Sequence, residues 1–128
     1  MTSKEQIINN KFSVIIPCYN EEKTINKLVT DIQTVLQPYQ FDICIVDDHS
    51  EDNLKTLVYG LKKKYKNINY IRNSSNLGQS YSIMSGIKNS KNLHIITIDG
   101  DYQNDPFDLP KIIKIYFENK NLKLVGGI

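Results

Sequence analysis

The stretch FSVIIPCYNEEKTINKLVTDIQTVL, residues 12–36, decides the fold class. Its first part, 12–17, is a short apolar run rich in β-branched residues and closed by Pro17, which predicts a buried strand. After the polar link CYNEE, apolar residues recur at steps of three and four from Ile25 onward, which predicts an amphipathic helix. The stretch therefore predicts a strand that is followed directly by a helix.

The same alternation continues along the rest of the chain. Further strands are expected at 41–48, 68–73, 93–99 and 122–128, and helices at 20–39, 53–65, 78–90 and 105–120. Asn20 is a candidate cap for the first helix, and Asp105 is one for the last helix, where Pro106 suits the first turn. Strands that alternate with helices imply an α/β fold, with a mostly parallel sheet covered by helices on both faces.

The composition sets limits on the class of protein. With 128 residues, of which 40% are hydrophobic, the chain suits a single globular domain over 1–128. The formal net charge is +2, from 16 basic and 14 acidic residues. That balance gives no electrostatic case for nucleic acid, so no nucleic-acid partner is expected. The basic run LKKKYK at 61–66 fits the solvated face of a helix.

Cysteine usage and hydropathy indicate the compartment. Cys18 and Cys44 lie in predicted buried strands and do not form a CxxC pair, so both are expected to be reduced structural thiols. No run approaches the roughly 18 apolar residues that a membrane span needs, and 1–12 lacks the apolar region of a signal peptide. A cytoplasmic protein is expected, and a peripheral role at the cytoplasmic face of a membrane stays open.

Polar side chains follow three of the predicted strands at their carboxyl ends, where open α/β sheets bind ligands. The first strand leads into 17–21, the second into 47–50 and the fourth into 99–101. If these strands are neighbours, several carboxylates converge, and like charges that close need an offsetting cation. Mg²⁺ or Mn²⁺ suits such a site, because both prefer carboxylate and water oxygens and bridge to phosphates. Gly100 is expected to let the backbone approach the ligand closely.

Each of these groups also has a simpler explanation. Asp47 or Asp48 alone fits a turn former or a helix cap, Tyr19 fits a half-buried packing residue, and His49 fits an exposed bystander. The loop 73–80 has a single glycine and no phosphate-loop pattern. The joint occurrence of polar groups at three strand ends is what favours a ligand site.

Four motifs, in this order, resemble family 2 glycosyltransferases with the GT-A fold, and most closely their dolichol-phosphate mannosyltransferase-like, polyprenyl-phosphate branch. They are FSVIIPCYNEEKTI at 12–25, CIVDDHSEDN at 44–53, NSSNLGQSYSIMSGIKNS at 73–90 and IITIDGDYQNDPFDLPKII at 95–113. The resemblance implies a Rossmann-like sheet and a hexosyltransferase-type enzyme. It also implies metal-dependent transfer of a sugar from a GDP- or UDP-sugar to dolichyl or undecaprenyl phosphate at a membrane surface.

By position, the resemblance also implies roles for individual residues. Those expected to contact the nucleotide-sugar are Pro17, Tyr19, Glu21, Val46, Asp48, Asp99 and Gly100. Asp99 and Asp101 are the expected catalytic residues, and Asp99, Asp101 and Gln103 form the expected metal site. Within that set, Asp99 is expected to face the nucleotide-sugar and Asp101 with Gln103 the metal. The loop around Asn76 and Gly78 is expected near the donor.

The chain departs from the resemblance after LVGGI, 124–128. Such enzymes continue into an acceptor-side half, so the fold is expected to be truncated, with the C-terminal acceptor part missing. One sheet face would then be under-covered and open to a second copy or a partner chain. A piece of a longer protein, a split gene product and a short donor-binding module all remain open.

Two other functions are weighed against the transferase. One is a non-catalytic module, derived from a glycosyltransferase, that binds a nucleotide or a partner. The other is a phosphoacceptor receiver domain, which is disfavoured because its acidic pair would follow the first strand, whereas Asp47 and Asp48 follow the second.

Overall fold

The computed structural model of the chain describes residues 10–118. Its strands are β1 (Lys11–Cys18), β2 (Gln40–Asp47), β3 (Ile68–Arg72) and β4 (His94–Thr97). Its helices are α1 (Ile25–Val35), α2 (Leu54–Lys64), α3 (Gln79–Asn89) and α4 (Leu109–Glu118), the last entered through a 3-10 turn at Pro106–Asp108. The alternation of strands and helices confirms the α/β prediction. The predicted strand at 122–128 lies outside the described residues.

The four strands form one parallel sheet in the order β3-β2-β1-β4. In this register Val14 of β1 lies opposite Ile43 of β2 and Ile96 of β4. Because β1 is flanked by β2 and β4, the carboxyl ends of these three strands meet at one edge. The sequence predicted polar groups at the same three ends.

Side chains of the central strand alternate between two core layers, as a period of two requires. Val14 and Ile16 join the larger layer, which also takes in the apolar faces of α1, α2 and α4. Ile15 faces the other way, with Val46, towards α3. Gly86 brings α3 close to the sheet, because a Cβ there would lie 2.6 Å from Ile15 Cγ2. Helices therefore cover both faces, as predicted.

The first helix begins later than the sequence predicted, at Ile25 rather than at Asn20. Asn20 adopts a left-handed φ of 54°, and its side-chain oxygen accepts a hydrogen bond from the Glu51 amide at 2.9 Å. The reciprocal contact joins the Asn20 amide to Ser50 Oγ at 2.9 Å. The link between β1 and α1 is thus held by the segment after β2, and Asn20 does not cap α1.

The last helix begins as predicted, while the fourth strand is shorter. The Asp105 side chain accepts a hydrogen bond from the Phe107 amide at 2.9 Å, with Pro106 in the first turn, which confirms the cap. The regular part of β4 ends at Thr97, although the Ile98 amide still donates to a β1 carbonyl. Pairing with β1 therefore continues almost to the acidic segment.

Within residues 10–118, no helix is long and apolar enough to cross a membrane. Both cysteines are free thiols, and both are buried, as expected for residues of buried strands. Burial raises the pKa of the Cys44 thiol to about 11, and the nearby Asp42 carboxylate acts in the same direction. Such a thiol is protonated and unreactive at neutral pH.

Candidate functional site

An open cavity of about 170 Å³ lies at the carboxyl edge of the sheet, where β1, β2 and β4 end. Most of the residues predicted to contact a nucleotide-sugar line it, together with both predicted catalytic aspartates. The lining consists of Pro17, Cys18, Tyr19, Glu21, Asp48, Gln79, Ser82, Asp99, Gly100 and Asp101. The predicted convergence of polar groups from three strand ends is therefore present in the structure.

The acidic segment Asp99–Asp101 is attached to the connection between β1 and α1 through its central glycine. The Gly100 amide donates to the Pro17 carbonyl at 3.3 Å, and Thr24 Oγ1 donates to the Gly100 carbonyl at 2.6 Å. A Cβ at Gly100 would lie 2.6 Å from Cys18 Sγ. The glycine was predicted to admit a ligand. The structure gives it a packing role, since it lets the segment lie directly against β1, and Gly100 also lines the cavity. Its predicted role in admitting a ligand stays a prediction.

Tyr102 anchors the far end of the acidic segment. It has a left-handed φ of 61°, which is uncommon for a residue with a side chain and costs free energy. Its hydroxyl donates to the Asp31 carboxylate, and Lys27 Nζ lies 2.8 Å from Asp31 Oδ2 and 3.1 Å from the Tyr102 hydroxyl. These contacts to α1 hold the strained turn in place.

Gln103 follows that turn on the exposed surface. Its amide donates to Asp101 Oδ1 at 3.1 Å, and its side chain does not line the cavity. The structure thus brings Asp99 and Asp101 together and leaves Gln103 outside. A role for Gln103 at a metal stays a prediction.

Negative charge is concentrated in the cavity. The pKa of the Glu21 carboxyl is raised by burial first, and then by the carboxylates of Asp101, Asp52 and Asp99. The same surroundings act on the neighbouring thiol: burial raises the pKa of Cys18 well above its usual range, with Glu21 as the next cause. The site therefore favours a bound positive charge.

The donor set suits a hard divalent cation that shares its ligands with a substrate. Among residues 10–118, no three His, Cys, Asp or Glu side chains converge closely enough to hold a metal ion by themselves. Mg²⁺ is commonly bound by only one or two carboxylates, with water and phosphate oxygens completing its shell. Asp99 and Asp101 fit that pattern.

Asp47 and Asp48, which are adjacent in sequence, have separate structural roles. Asp47 is fully buried, and strand alternation places it on the same face as Ile45, towards the larger core layer. It accepts hydrogen bonds from the Ser50 amide at 2.8 Å and the Tyr70 hydroxyl at 2.5 Å, and it forms an ion pair with Arg72 at 3.1 Å. Asp47 therefore holds the turn after β2 against the end of β3, which is the turn-forming role that the sequence left open.

Asp48 faces the α3 side and holds the loop that precedes this helix. Its Oδ1 accepts from Asn73 Nδ2 at 2.9 Å and from the Leu77 amide at 2.7 Å, and its Oδ2 accepts from the Gly78 amide at 2.9 Å. Burial opposes ionisation, but these three hydrogen bonds and the nearby His49 leave the pKa of Asp48 below its ordinary value. The His49 ring itself contacts the Asn73 carbonyl, with Nδ1 3.1 Å from the oxygen.

Val46 is the exception among the predicted donor contacts. Its side chain is fully buried and packs with Ile15 against α3, so it does not reach the cavity. The alternation of β2 explains this, because a residue two positions after the buried Cys44 faces the same layer.

The loop around Asn76 and Gly78, which was expected near the donor, contacts the cavity residue Asp48 through a backbone amide. Gly78 has a φ of 98°, a conformation that favours glycine, and its amide points to Asp48. Asn76 is exposed and is not part of the lining.

Sequence reasoning missed three residues that line the cavity: Cys18, Gln79 and Ser82. Gln79 Nε2 donates to Asp99 Oδ1 at 2.6 Å, across 20 positions of sequence. Helical spacing could have revealed that Gln79 and Ser82 lie together, because residues three apart at the start of a helix share one face.

A parallel α/β sheet with an Asp-Gly-Asp segment at its carboxyl edge defines a GT-A-like fold. The chain belongs to glycosyl transferase family 2, whose family model matches residues 13–127.

Two curated relatives illustrate the likeness. An uncharacterized protein of Methanocaldococcus jannaschii is 41% identical over 119 residues, which cover 89% of this chain and 50% of the relative. A dolichol-phosphate mannosyltransferase of Pyrococcus furiosus is 34% identical over 104 residues, which cover 81% of this chain and 29% of the relative. The chain thus spans half or less of the length of these relatives.

Two solved structures share the architecture. S. aureus TarS 1-349 in complex with UDP-GlcNAc matches with a TM-score of 0.69 and 25% identity over 84% of this chain and 31% of that protein. The mannosyltransferase PcManGT of Pyrobaculum calidifontis, in complex with GDP-Man and Mn²⁺, matches with a TM-score of 0.69 over 80% of this chain and 31% of that protein. At 17% identity the second match shows the fold alone.

Proposed function

We propose that this chain forms the donor-binding part of a glycosyltransferase that takes a sugar from a GDP- or UDP-sugar and transfers it to a polyprenyl phosphate. The observation that carries the proposal is the joining of three strand ends in one acidic cavity, within a chain of glycosyl transferase family 2. The printed descriptions of the relatives support the two substrates: one is named a dolichol-phosphate mannosyltransferase, and the TarS structure holds UDP-GlcNAc.

The cavity suits the charged portion of a nucleotide-sugar. Its volume of about 170 Å³ is below the roughly 300–1,000 Å³ of a complete small-molecule pocket, so the rest of the donor would lie outside it. Pro17, Tyr19 and Glu21 would line one side of the donor, and Asp99 with Gly100 the other. Val46 would act only as core packing beneath the site.

Asp99 and Asp101 would hold Mg²⁺ or Mn²⁺, with Gln103 as a further ligand from outside the cavity. A divalent cation bound there supplies positive charge to the diphosphate of the donor. Both metals prefer carboxylate and water oxygens and bridge to phosphates, which supports this choice. Burial, and then repulsion from carboxylates that include Asp101 and Asp99, raises the pKa of Glu21. A bound cation would offset that repulsion.

A polyprenyl phosphate would serve as its own nucleophile. Its phosphate oxygen is already ionised near neutral pH, so its attack on the anomeric carbon needs no strong general base. The bond from that carbon to the nucleoside diphosphate breaks in the same step, and the diphosphate leaves with the electron pair. Asp99 and Asp101 would act by orienting the donor rather than by abstracting a proton. Such an acceptor would place the protein at a membrane surface, peripherally on the cytoplasmic face.

A second candidate is a module that binds a nucleotide or a partner chain without transferring a sugar. The observation that favours it is an apolar cavity of about 470 Å³ along β4 between α3 and α4, on the side of β4 away from β1. Its apolar lining includes Ile83, Ile87, Leu93, Ile95, Ile112 and Tyr116. Leu93 is 94% exposed, so its burial against a second copy or a partner would stabilise the complex.

Donor binding is tested by thermal unfolding with GDP, UDP and their sugars in the presence of MnCl₂. We expect the melting temperature of the wild type to rise with at least one of them, and chelation of the metal to remove the shift. Asp101→Ala should abolish the shift. Asp108→Ala, an exposed aspartate outside the cavity, should preserve it. An unchanged melting temperature across all these ligands would contradict the proposal.

Sugar transfer is tested separately, with a radiolabelled nucleotide-sugar and a polyprenyl phosphate in detergent. Label that moves into the lipid extract supports the transferase. Binding of the nucleotide without any transfer supports the second candidate.

A further inference from the structure

We infer that a polar stripe along α1, formed by Thr24, Lys27 and Asp31, positions the Asp101 carboxylate by holding the chain on both sides of it. The inference rests on the proposed function, because the orientation of Asp101 matters for the divalent cation that this residue is proposed to hold. The three residues of the α1 stripe do not line the cavity, so they act on Asp101 as positioning residues and not as ligands.

The α1 stripe runs along one side of the helix. Thr24 is the N-cap residue of α1, and Lys27 and Asp31 follow at steps of three and four, the spacing at which side chains share a helix face. Leu28 and Ile32, each one position further along, are fully buried and fix α1 on the larger core layer. The stripe therefore presents its polar groups from a rigid element.

The residue before Asp101 is held by the first member of the stripe. Thr24 Oγ1 donates to the Gly100 carbonyl at 2.6 Å, and the Gly100 amide donates to the Pro17 carbonyl at 3.3 Å. The Gly100 carbonyl belongs to the peptide unit that leads into Asp101. Its hydrogen bond to Thr24 therefore restricts the rotation of the backbone at Asp101.

The residue after Asp101 is held by the other two members. The Tyr102 hydroxyl donates to Asp31 Oδ2, and Lys27 Nζ lies 2.8 Å from the same oxygen and 3.1 Å from the hydroxyl. Lys27 Nζ also lies 4.7 Å from the centre of the Tyr102 ring. Hydrogen bonds from Lys27 first, and then from Tyr102, lower the pKa of Asp31, so Tyr102 is bound by a carboxylate through a strong, charge-assisted hydrogen bond.

These contacts matter because the turn at Tyr102 is strained. A φ of 61° is disfavoured for a residue with a side chain, and it persists where surrounding contacts hold it. The turn places the Gln103 amide 3.1 Å from Asp101 Oδ1, to which it donates. Release of Tyr102 from α1 would let the turn relax and would break this hydrogen bond. The orientation of the Asp101 carboxylate therefore depends on the α1 stripe.

The test uses Tyr102→Phe, Asp31→Ala, their double variant, Asp31→Asn and Thr24→Val. Tyr102→Phe removes one hydroxyl and changes no charge, so it perturbs the fold least. Circular dichroism and urea unfolding establish that each variant is folded under the conditions of the measurements.

Two matched controls remove similar groups elsewhere. Tyr59→Phe alters an exposed tyrosine of α2 that also has a lysine near its ring, with Lys55 Nζ 5.8 Å from the ring centre. Glu118→Ala removes an exposed ion pair with Lys114, four positions earlier on α4. Neither control residue lines the cavity.

The first measurement is the exchange of the Gln103 amide with water in the free protein, followed by NMR. This amide reports the orientation of Asp101, because its hydrogen bond ends on that carboxylate. Tyr102→Phe and Asp31→Ala should each speed the exchange by about tenfold, the effect of one hydrogen bond to a charged group. Thr24→Val removes a neutral hydrogen bond and should speed it by about fivefold. The controls should leave the exchange unchanged.

The second measurement is the dissociation constant of Mn²⁺ at saturating UDP or GDP, whichever the wild type binds more tightly. Electron paramagnetic resonance gives the concentration of free Mn²⁺. Tyr102→Phe and Asp31→Ala should each raise the dissociation constant by about tenfold. The double variant should match the single variants, because both substitutions break the same hydrogen bond. The controls should bind Mn²⁺ as the wild type does.

Asp31→Asn separates positioning from the simple loss of a negative charge. Asparagine keeps an oxygen that accepts from the Tyr102 hydroxyl, so this variant should bind Mn²⁺ more tightly than Asp31→Ala does. A purely electrostatic effect would weaken both variants equally and leave Tyr102→Phe at the wild-type value. That result would overturn the inference, as would an unchanged Gln103 exchange in Tyr102→Phe and Asp31→Ala.

The failure of this inference differs from the failure of the proposed function. If the wild type binds neither nucleotide in MnCl₂, the proposed function fails, while the Gln103 amide still shows whether the α1 stripe orients Asp101. If the wild type binds nucleotide and Mn²⁺, and Tyr102→Phe binds Mn²⁺ equally well, only the inference fails.

Discussion

Gly86→Ala tests whether α3 packs on the sheet as closely as the structure shows. A Cβ at this position would lie 2.6 Å from Ile15 Cγ2 and 3.1 Å from Val46 Cγ2. Both neighbours are fully buried, so neither can move into solvent. The substitution must therefore push α3 away from β1 or force Ile15 into a poorer rotamer.

Two opposing effects set the size of the change. Alanine in the interior of a helix is favoured over glycine by about 0.8–1 kcal/mol. Overpacking of a close-packed core costs about 1–3 kcal/mol. The free energy of unfolding of Gly86→Ala should therefore fall by up to about 2 kcal/mol.

Gly60→Ala is the matched control. Gly60 lies in the interior of α2, and within residues 10–118 an added Cβ there would meet no heavy atom within 4 Å beyond its chain neighbours and the backbone of its own helix. It carries the same gain in helix propensity without the clash, so Gly60→Ala should stabilise by about 0.8–1 kcal/mol. Because the propensity gain is shared, the difference between the two variants, about 1–3 kcal/mol, isolates the packing of α3 on the sheet.

The assay is urea unfolding followed by circular dichroism, with the slopes compared between variants. For a chain of this size, about 4 °C in melting temperature corresponds to 1 kcal/mol, so thermal unfolding should separate the two variants by about 4–12 °C. If Gly86→Ala stabilises the protein as much as Gly60→Ala does, at equal slope, then α3 does not lie as close to Ile15 as described.

Two further substitutions probe the acidic cavity. Glu21→Gln should stabilise the free protein at pH 7 by about a few tenths of a kcal/mol. Burial and then Asp101 raise the pKa of Glu21, so the folded state loses stability as the pH rises and this carboxyl ionises. Thermal unfolding at pH 4, where Glu21 is largely protonated, should show no such gain, and an equal gain at both pH values would contradict this cause. Gly100→Ala should destabilise by about 1–3 kcal/mol in urea, because its Cβ would meet Cys18 Sγ at 2.6 Å and the Pro17 carbonyl at 3.2 Å. The loss should be smaller in a Cys18→Ala background, which removes the sulfur, and an equal loss in both backgrounds would show that the clash lies elsewhere.

The elements that the sequence predicted well are those set by local signals. The three- and four-residue spacing from Ile25 predicted the buried face of α1, and the aspartate before Pro106 predicted the cap of the last helix. Continuous apolar runs predicted the strands, because a parallel sheet covered on both faces buries side chains on both faces of its central strand. In each case the residues that form the element lie within a few positions of one another.

The details that escaped prediction depend on partners far apart in sequence. Asn20 resembles a helix cap, but its side chain contacts Glu51, 31 positions away. Asp47 and Asp48 are indistinguishable as a sequence pair. They point to opposite faces of the sheet, and the partners of Asp48 lie 25 to 30 positions further along the chain. Val46 does not depend on distant partners in this way, because its burial follows from its place in β2. Its predicted contact with the donor came only from the family resemblance.

The acidic segment is held by contacts that carry no positive charge into the cavity. Gly100 is fixed by β1 and by Thr24, Tyr102 by α1, and Asp99 by Gln79 of α3. Lys27, which completes the contact with Tyr102, sits on α1 and does not line the cavity. The repulsion that raises the pKa of Glu21 is therefore not relieved by the side chains that line it. Uncompensated negative charge that is held in fixed positions lowers the stability of the free protein. It also raises the affinity for a ligand that brings a cation, because the site needs little reorganisation on binding.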